Sequence, residues 1–154
     1  MVNDLVSATV VSLDTVAVAN RLRPVLLKIG RELRREARAL GVSPGQVSLL
    51  VCIKHDPGIG VRELAAREHV SPAGISGHVD RLVAAGLVAR TPSPSDRRRV
   101  GLTLTDQGRR VLRNVQSRRT AWLAARLRQL NAEQLDAIDA AIEPLGLLLN
   151  GEVA

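Results

Sequence analysis

Three consecutive arginines, Arg97, Arg98 and Arg99, directly follow Asp96 in the stretch TPSPSDRRRV. Guanidinium groups form paired hydrogen bonds with phosphate oxygens and gain from the deep negative potential of a narrow DNA minor groove. Three of them at one turn repel one another until an anion arrives. We therefore predict that this turn contacts nucleic acid, that Asp96 orients one of the arginines, and that Arg90 upstream contacts a phosphate.

A second group of polar and small residues lies upstream, in the stretch SPAGISGHVDR. Hydroxyl, imidazole and guanidinium groups donate hydrogen bonds to phosphates and base edges, and alanine can contact a thymine methyl group. Gly74 and Gly77 fall inside a predicted helix, where each costs up to about 1 kcal/mol relative to alanine, so these positions indicate close approach by a partner. The candidate DNA-contacting residues of this group are Ser71, Ala73, Ser76, Gly77, His78 and Arg81.

Two short helices and a hairpin are predicted to position these residues. Apolar residues recur at helical spacing over 61–68, and Ser71-Pro72 is typical of the start of a second helix, 71–85. Alternating residues over 87–104 then predict two strands joined by a turn rich in proline and serine. This pattern is typical of a helix-turn-helix with a wing. It predicts that helix 71–85 enters a major groove and that the wing, 90–99, enters a minor groove.

The order of these motifs resembles the MarR family of bacterial transcription regulators. The resemblance lies in VRELAAREHVSPAGISGHVDRLVAAGLVAR joined to SPSDRRRVGLTLTDQG, and it extends over nearly the whole chain. Its specific part is the hairpin motif formed by Asp96, Arg98, residues 102–105 and Gly108. The resemblance implies a homodimer that binds duplex DNA, with Arg98 as the residue that enters the minor groove. It also implies a pocket for small aromatic anions.

Further helices are predicted before the helix-turn-helix. The first spans 14–40 and contains Pro24, which predicts either a kink or a helix start nearer Arg23. The stretch Ser43-Pro44-Gly45-Gln46 is a capping box with proline at the first helical position, so it predicts the start of the next helix. That helix is expected to end near His55.

Two more helices are predicted after the wing. Thr105 is expected to cap one that runs to about Leu130, and Asn131 to cap a last one that Pro144 and Gly146 should bend. The predicted fold class is therefore mainly α, with a winged helix-turn-helix of three helices and a small β-hairpin. The predicted units are the winged helix-turn-helix, 43–104, and flanking dimerisation helices, 14–40 and 105–149, within one chain, 1–154.

Apolar stripes on the terminal helices exceed what a small central domain can cover, which predicts a two-fold dimer. The alternative is an intramolecular bundle of the same helices. Residues 109–128 are rich in arginine, and the residues after Asn131 are acidic. The two segments are expected to form ion pairs within or between chains, or else two solvated faces. The candidate interface residues are Leu22, Leu26, Trp122, Leu135, Ile138, Ile142, Leu145 and Leu149.

An effector pocket is predicted where the dimer helices meet the winged domain, with His55 and Trp122 as candidate ligand-binding residues. For Trp122, the only aromatic residue, packing in a core or interface is the alternative. Cys52 lies in an apolar stretch and is predicted to be a buried thiol, with redox sensing as the alternative. His55, His69 and His78 share no ligand spacing, so neither a metal site nor a cofactor is predicted.

Composition restricts the class of protein. The net charge is +7, from 22 Lys and Arg against 15 Asp and Glu, which favours a polyanionic partner. The absence of Phe and Tyr argues against single-strand and RNA binders, which stack bases on aromatic side chains. No glycine-rich phosphate loop, GxSxG or zinc signature indicates an enzyme. The single cysteine, the lack of a signal peptide and the absence of an apolar run of membrane length make the cytoplasm the expected location.

The predicted function is that of a homodimeric, sequence-specific regulator of transcription that binds a palindromic operator in double-stranded DNA. It is expected to act as a repressor that a small-molecule effector or a stress signal releases. The alternative is a non-specific architectural protein that binds duplex DNA. Only the ratio of the affinities for specific and non-specific duplexes separates it from the regulator.

Overall fold

The computed structural model describes residues 14–93 and 96–150, so Pro94 and Ser95 of the predicted wing lie outside the described residues. Within those ranges the chain is mainly helical with one antiparallel hairpin, which confirms the predicted fold class. No helix in these ranges is long and apolar enough to cross a bilayer. The elements are α1 (Thr15–Arg38), α2 (Pro44–His55), α3 (Val61–Arg67), α4 (Pro72–Ala84), β1 (Val88–Pro92), β2 (Val100–Leu104), α5 (Asp106–Leu127) and α6 (Ala132–Asn150).

The helices begin where the sequence places capping residues. Ser43 and Gln46 form the predicted capping box of α2, in which each side chain bonds the backbone amide of the other residue. The oxygens of Ser71 and Thr105 accept the first free amides of α4 and α5. Asn131 and Gln134 form the same reciprocal pair of hydrogen bonds at the start of α6. In the first turn of α5, the hydrogen bond that Arg109 donates to Asp106 lowers the pKa of this carboxyl group.

The boundaries of α1 and α5 test the sequence-based prediction of each helix. Helix α1 begins at Thr15 and continues through Pro24, so the alternative of a late start near Arg23 is wrong. The side chain of Asp14 accepts the amide of Val16, and this cap starts the helix well before the proline removes one internal hydrogen bond. Helix α5 ends at Leu127, three residues before the predicted end.

The core lies within the winged helix-turn-helix. Its buried side chains come from α2, α3, α4 and the hairpin, with Leu112 and Val115 from α5 and Ala37 from α1 added. The segment before α3 pairs with the hairpin, because Leu102 in β2 exchanges hydrogen bonds with the chain at Gly58 and Ile59. This pairing fixes the start of α3 against the hairpin, so α3, α4 and the wing form one packed unit.

The terminal helices lie outside this core. Helix α1 packs along α5, where Arg118 pairs with Glu36 at 3.0 Å and Arg119 donates to the carbonyl oxygen of Leu33 at 3.1 Å. None of the described side chains of α6 is buried. Ile142 is 62% exposed and Leu149 is 87% exposed. A single chain therefore leaves the apolar stripe of α6 in water.

Gly108 is required by close packing between the hairpin and α5. A Cβ atom at this position would lie 2.0 Å from the carbonyl oxygen of Leu87, and this oxygen also accepts the amide of Thr105. We expect Gly108→Ala to lower the free energy of unfolding by about 1–3 kcal/mol, because backbone atoms must move apart. Urea denaturation measures this change. Gly45→Ala is the control, since its Cβ would meet nothing closer than 4.0 Å; equal stability of both variants would contradict the expectation.

Candidate nucleic-acid interface

Helix α4 separates a buried apolar face from an exposed face of small and polar residues. Ile75, Val79 and Leu82 are buried, whereas the six candidate contact residues of this segment are exposed, apart from the half-buried Ser76. The Ser76 hydroxyl donates to the carbonyl oxygen of Pro72 at 3.0 Å, so its free lone pairs can only accept. The exposed residues are Ser71, Ala73, Gly77, His78 and Arg81.

His78 and Arg81 form a connected pair on this exposed face. The Arg81 guanidinium lies 3.0 Å from Nδ1 of His78, which therefore accepts the hydrogen bond in its neutral form. Nε2 of His78 is then the protonated nitrogen and can donate to a base edge or phosphate. The pair thus presents donors only, which suits the acceptors of a phosphate backbone and of guanine.

An ion pair joins α4 to the first strand of the wing. Arg90 in β1 bonds the carboxylate of Asp80 in α4 at 2.5 Å. The sequence-based hypothesis that Arg90 contacts a phosphate stays a prediction. In the structure this exposed arginine bridges β1 and α4.

The wing tip exposes three arginines on a turn that Asp96 organises. Oδ1 of Asp96 accepts the backbone amide of Arg98 at 2.9 Å, and its carbonyl oxygen accepts the amide of Arg99 at 2.9 Å. The guanidinium groups of Arg97, Arg98 and Arg99 form no ion pair with any described residue. Asp96 therefore orients the arginines through their backbone, which leaves three positive charges available to an anion.

The candidate ligand-binding residues lie apart from the cavities found in one chain. His55 is exposed at the end of α2, and the half-buried Trp122 carries the guanidinium of Arg126 over its ring at 3.9 Å. One cavity of about 690 Å³ lies between α3 and the wing. A smaller one, about 120 Å³, lies beside Leu49 and Ile75. Neither His55 nor Trp122 lines these two cavities.

The remaining candidates correspond to structural roles. Cys52 is half-buried, so the prediction of a buried thiol is wrong, although its side chain packs against the core. Among residues 14–93 and 96–150, no group of three or more histidine, cysteine or acidic side chains is arranged to hold a metal ion. His69 has a positive φ of 54° at the turn between α3 and α4, so it forms part of that turn.

Comparison with known proteins connects this arrangement to a family. A model of the MarR family matches residues 42–100 of the chain. The HTH-type transcriptional repressor MdtR of Bacillus subtilis is 33% identical over 114 residues, which cover 74% of this chain and 74% of MdtR. The chain belongs to the MarR family. Members of this family are DNA-binding transcription regulators and not enzymes, which confirms the resemblance and the predicted class.

Solved structures of MarR-family and related regulators show the same architecture. The transcriptional regulator Tm0710 of Thermotoga maritima is 28% identical with a TM-score of 0.73, over 87% of this chain and 94% of that protein. The transcriptional repressor CouR, bound to a 23-mer DNA duplex, is 28% identical with a TM-score of 0.64. That match covers 84% of this chain and 89% of CouR. The winged helix-turn-helix described above is thus the family's fold.

Two charged residues beside the wing were not predicted from the sequence. Asp80 was not singled out, since its partner Arg90 comes close only when the hairpin folds onto α4. Arg62 was also missed, although a cation in the first turn of a helix opposes the helix dipole and indicates another role. That unfavourable placement is the one signal in the sequence that pointed to Arg62.

Substitution of Gly77 tests whether DNA closely approaches the backbone of α4. Apart from its chain neighbours and the backbone of α4 itself, no described heavy atom lies within 4 Å of a Cβ atom built at this position. We expect Gly77→Ala to raise the free energy of unfolding by up to about 1 kcal/mol, because alanine favours helix. We also expect weaker binding to duplex DNA, measured by fluorescence anisotropy. Gly45→Ala, outside α4, serves as the control; unchanged DNA affinity in the Gly77 variant would contradict the close approach.

Proposed function

We propose that a homodimer of this chain binds a palindromic operator in duplex DNA and regulates transcription. Helix α4 enters the major groove and the wing enters the adjacent minor groove. The observation that carries the proposal is the combination of an exposed small and polar face on α4 with three free arginines on a wing. The Arg90–Asp80 ion pair bridges α4 and β1, the first strand of the wing. The DNA-bound state of the related CouR supports the same partner.

The dimer is supported by the apolar surface that one chain leaves exposed. In α1, Leu26 is 46% exposed, and on α6 the seam of Leu135, Ile138, Ile142, Leu145 and Leu149 has no buried member. Such a continuous stripe is unusual for a monomer and is expected to be covered by a second copy. Leu22 and Trp122, both half-buried, extend the same interface. Helices 14–40 and 105–149 are thus the proposed dimerisation helices.

The charged faces of α5 and α6 are proposed to remain in water. Within the described residues, no ion pair joins the arginines of α5 to the acids of α6, and α5 pairs instead with Glu36 of α1. The apolar seam then carries the dimer, and the charged faces lie outside it.

Regulation is proposed to act through the distance between the two winged helix-turn-helix domains of the dimer. An effector between the winged domain and the dimer helices, near His55 and Trp122, would favour one spacing and so change the operator affinity. Repression, with release by a small molecule or stress signal, is the mode we propose, and the relative MdtR is named a repressor. The proposed location is the cytoplasm, because the related repressor MdtR is bacterial and bacterial DNA lies in the cytoplasm.

Selection from a pool of random duplexes tests this function. We expect enrichment of one inverted repeat, with an affinity at least about a thousandfold higher than for a scrambled duplex of equal length at physiological salt. Enrichment of no site, with equal affinity for all duplexes, would contradict specific regulation and favour the architectural alternative. Salt is held constant throughout, because phosphate contacts make affinity depend steeply on ionic strength.

A further inference from the structure

The cavity of about 690 Å³ lies at the base of the wing and carries positive charge on two sides. The loop before α3 forms its floor, the first turn of α3 forms one wall, and β2 with the end of the wing turn forms the other. Arg62 from α3 and Arg99 from the wing both line it, and neither forms an ion pair with a described residue. Two free guanidinium groups on different elements thus face one space.

The two carboxylates that line the same cavity are already bound. Arg67 lies 2.7 Å from Oδ2 of Asp56 and 2.9 Å from Oε1 of Glu63, so one guanidinium serves both. The hydrogen bond with Glu63 is the main cause of the raised pKa of Arg67. The paired side chains of Arg67, Asp56 and Glu63 together carry a single net negative charge. The two arginines without an ion pair outweigh it, so the cavity favours an anion.

Tight backbone packing fixes the floor of the cavity against the hairpin. A Cβ atom at Gly101 would lie 2.3 Å from the carbonyl oxygen of Gly58, and the amide of Gly58 donates to Leu102 at 2.8 Å. Ile59 is buried beneath this contact. The walls that carry Arg62 and Arg99 are therefore held by the core.

We propose that this cavity receives the sugar-phosphate backbone of the operator strand beside the wing, with Arg62 and Arg99 bound to its phosphodiester oxygens. A protein that places a helix in the major groove and a wing in the adjacent minor groove must pass over the strand that separates the two grooves. Arginine forks match phosphate oxygens in geometry and charge. Arg67 acts as a positioning residue, since it keeps Asp56 and Glu63 from repelling the phosphates. This inference rests on the proposed DNA-binding function.

The first test compares Arg62→Gln with Arg113→Gln, which removes the same charge from an exposed position on α5 outside the cavity. We expect Arg62→Gln to weaken binding to operator and scrambled duplex alike by roughly three- to tenfold. The slope of log affinity against log salt should decrease by about one. Arg113→Gln should leave both quantities unchanged. Arg98→Ala is measured in parallel: if it weakens binding and Arg62→Gln does not, the cavity proposal is wrong, and if neither does, the proposed function itself fails.

A second test separates the charge effect of Arg67 from a merely structural one. Arg67→Gln should weaken duplex binding, and adding Asp56→Asn with Glu63→Gln should restore it, because the exposed carboxylates are then removed. Failure of the triple variant to recover, with intact circular dichroism, would overturn the role of Arg67. Inorganic phosphate tests the other source of an anion. If it binds the DNA-free protein through Arg62 while duplex affinity is unchanged in Arg62→Gln, the cavity is a small-anion site and the proposal is wrong.

Discussion

Arg98→Ala is expected to weaken binding to the selected operator by roughly ten- to a hundredfold, the loss that follows from removing one groove-inserted arginine contact. Asp96 holds the backbone of this residue through its amide, so the side chain starts from a fixed position at the wing tip. Its guanidinium has no acidic partner among the described residues, so nothing in the protein competes with DNA for it. Fluorescence anisotropy at constant salt measures the change.

Two further variants show whether the effect belongs to the minor groove. Arg113→Ala removes an equal charge from α5 and should change the affinity little. Asp96→Ala should have an intermediate effect, because it frees the turn but leaves the guanidinium in place. A loss with Arg98→Ala no larger than that with Arg113→Ala would show that the wing acts only through the overall charge of the protein.

Ile142→Lys is expected to dissociate the dimer, with a rise of about a hundredfold or more in its dissociation constant. Ile142 is 62% exposed in one chain and lies on the apolar seam of α6. If a second copy covers this seam, the variant buries an unpaired charge at a cost of several kcal/mol. Two-fold symmetry brings that charge into the interface twice. Sedimentation equilibrium measures the dissociation constant, and circular dichroism checks that the chain stays helical.

Ala140→Lys is the matched control for this variant. It introduces the same charge on the opposite, exposed side of α6, among Asp136, Glu143 and neighbouring acids. The dimer should persist in this variant, and operator affinity should remain. A monomeric wild-type chain, or equal dissociation of both variants, would show that the α6 seam is not the interface and would favour the intramolecular alternative.

Much of the fold follows from local sequence because capping chemistry acts within a few residues. Ser43, Ser71, Thr105 and Asn131 each bond an amide of the helix that follows, and each was identified as a helix start. Pro24 was less informative, since a helix capped at its start and packed along one side tolerates one missing hydrogen bond.

The candidate site was less predictable because it depends on contacts between distant elements. The exposed faces of α4 and the wing follow from periodicity and from the hairpin motif. By contrast, the pairing of Arg90 with Asp80 needs the hairpin to fold against the helix. The cavity that joins Arg62 to Arg99 is still less visible, because the loop that forms its floor is fixed by backbone packing at Gly101. The residue types along the sequence do not predict which distant side chains line one cavity.

The spacing between operator half-sites tests the central claim most directly, since two winged domains on a rigid dimer must reach both half-sites from one face of the duplex. Inserting five base pairs between the half-sites rotates one by about half a turn. We predict that this insertion lowers the affinity to that of a duplex with a single half-site. Unchanged affinity after the insertion would contradict a two-fold dimer that reads both half-sites.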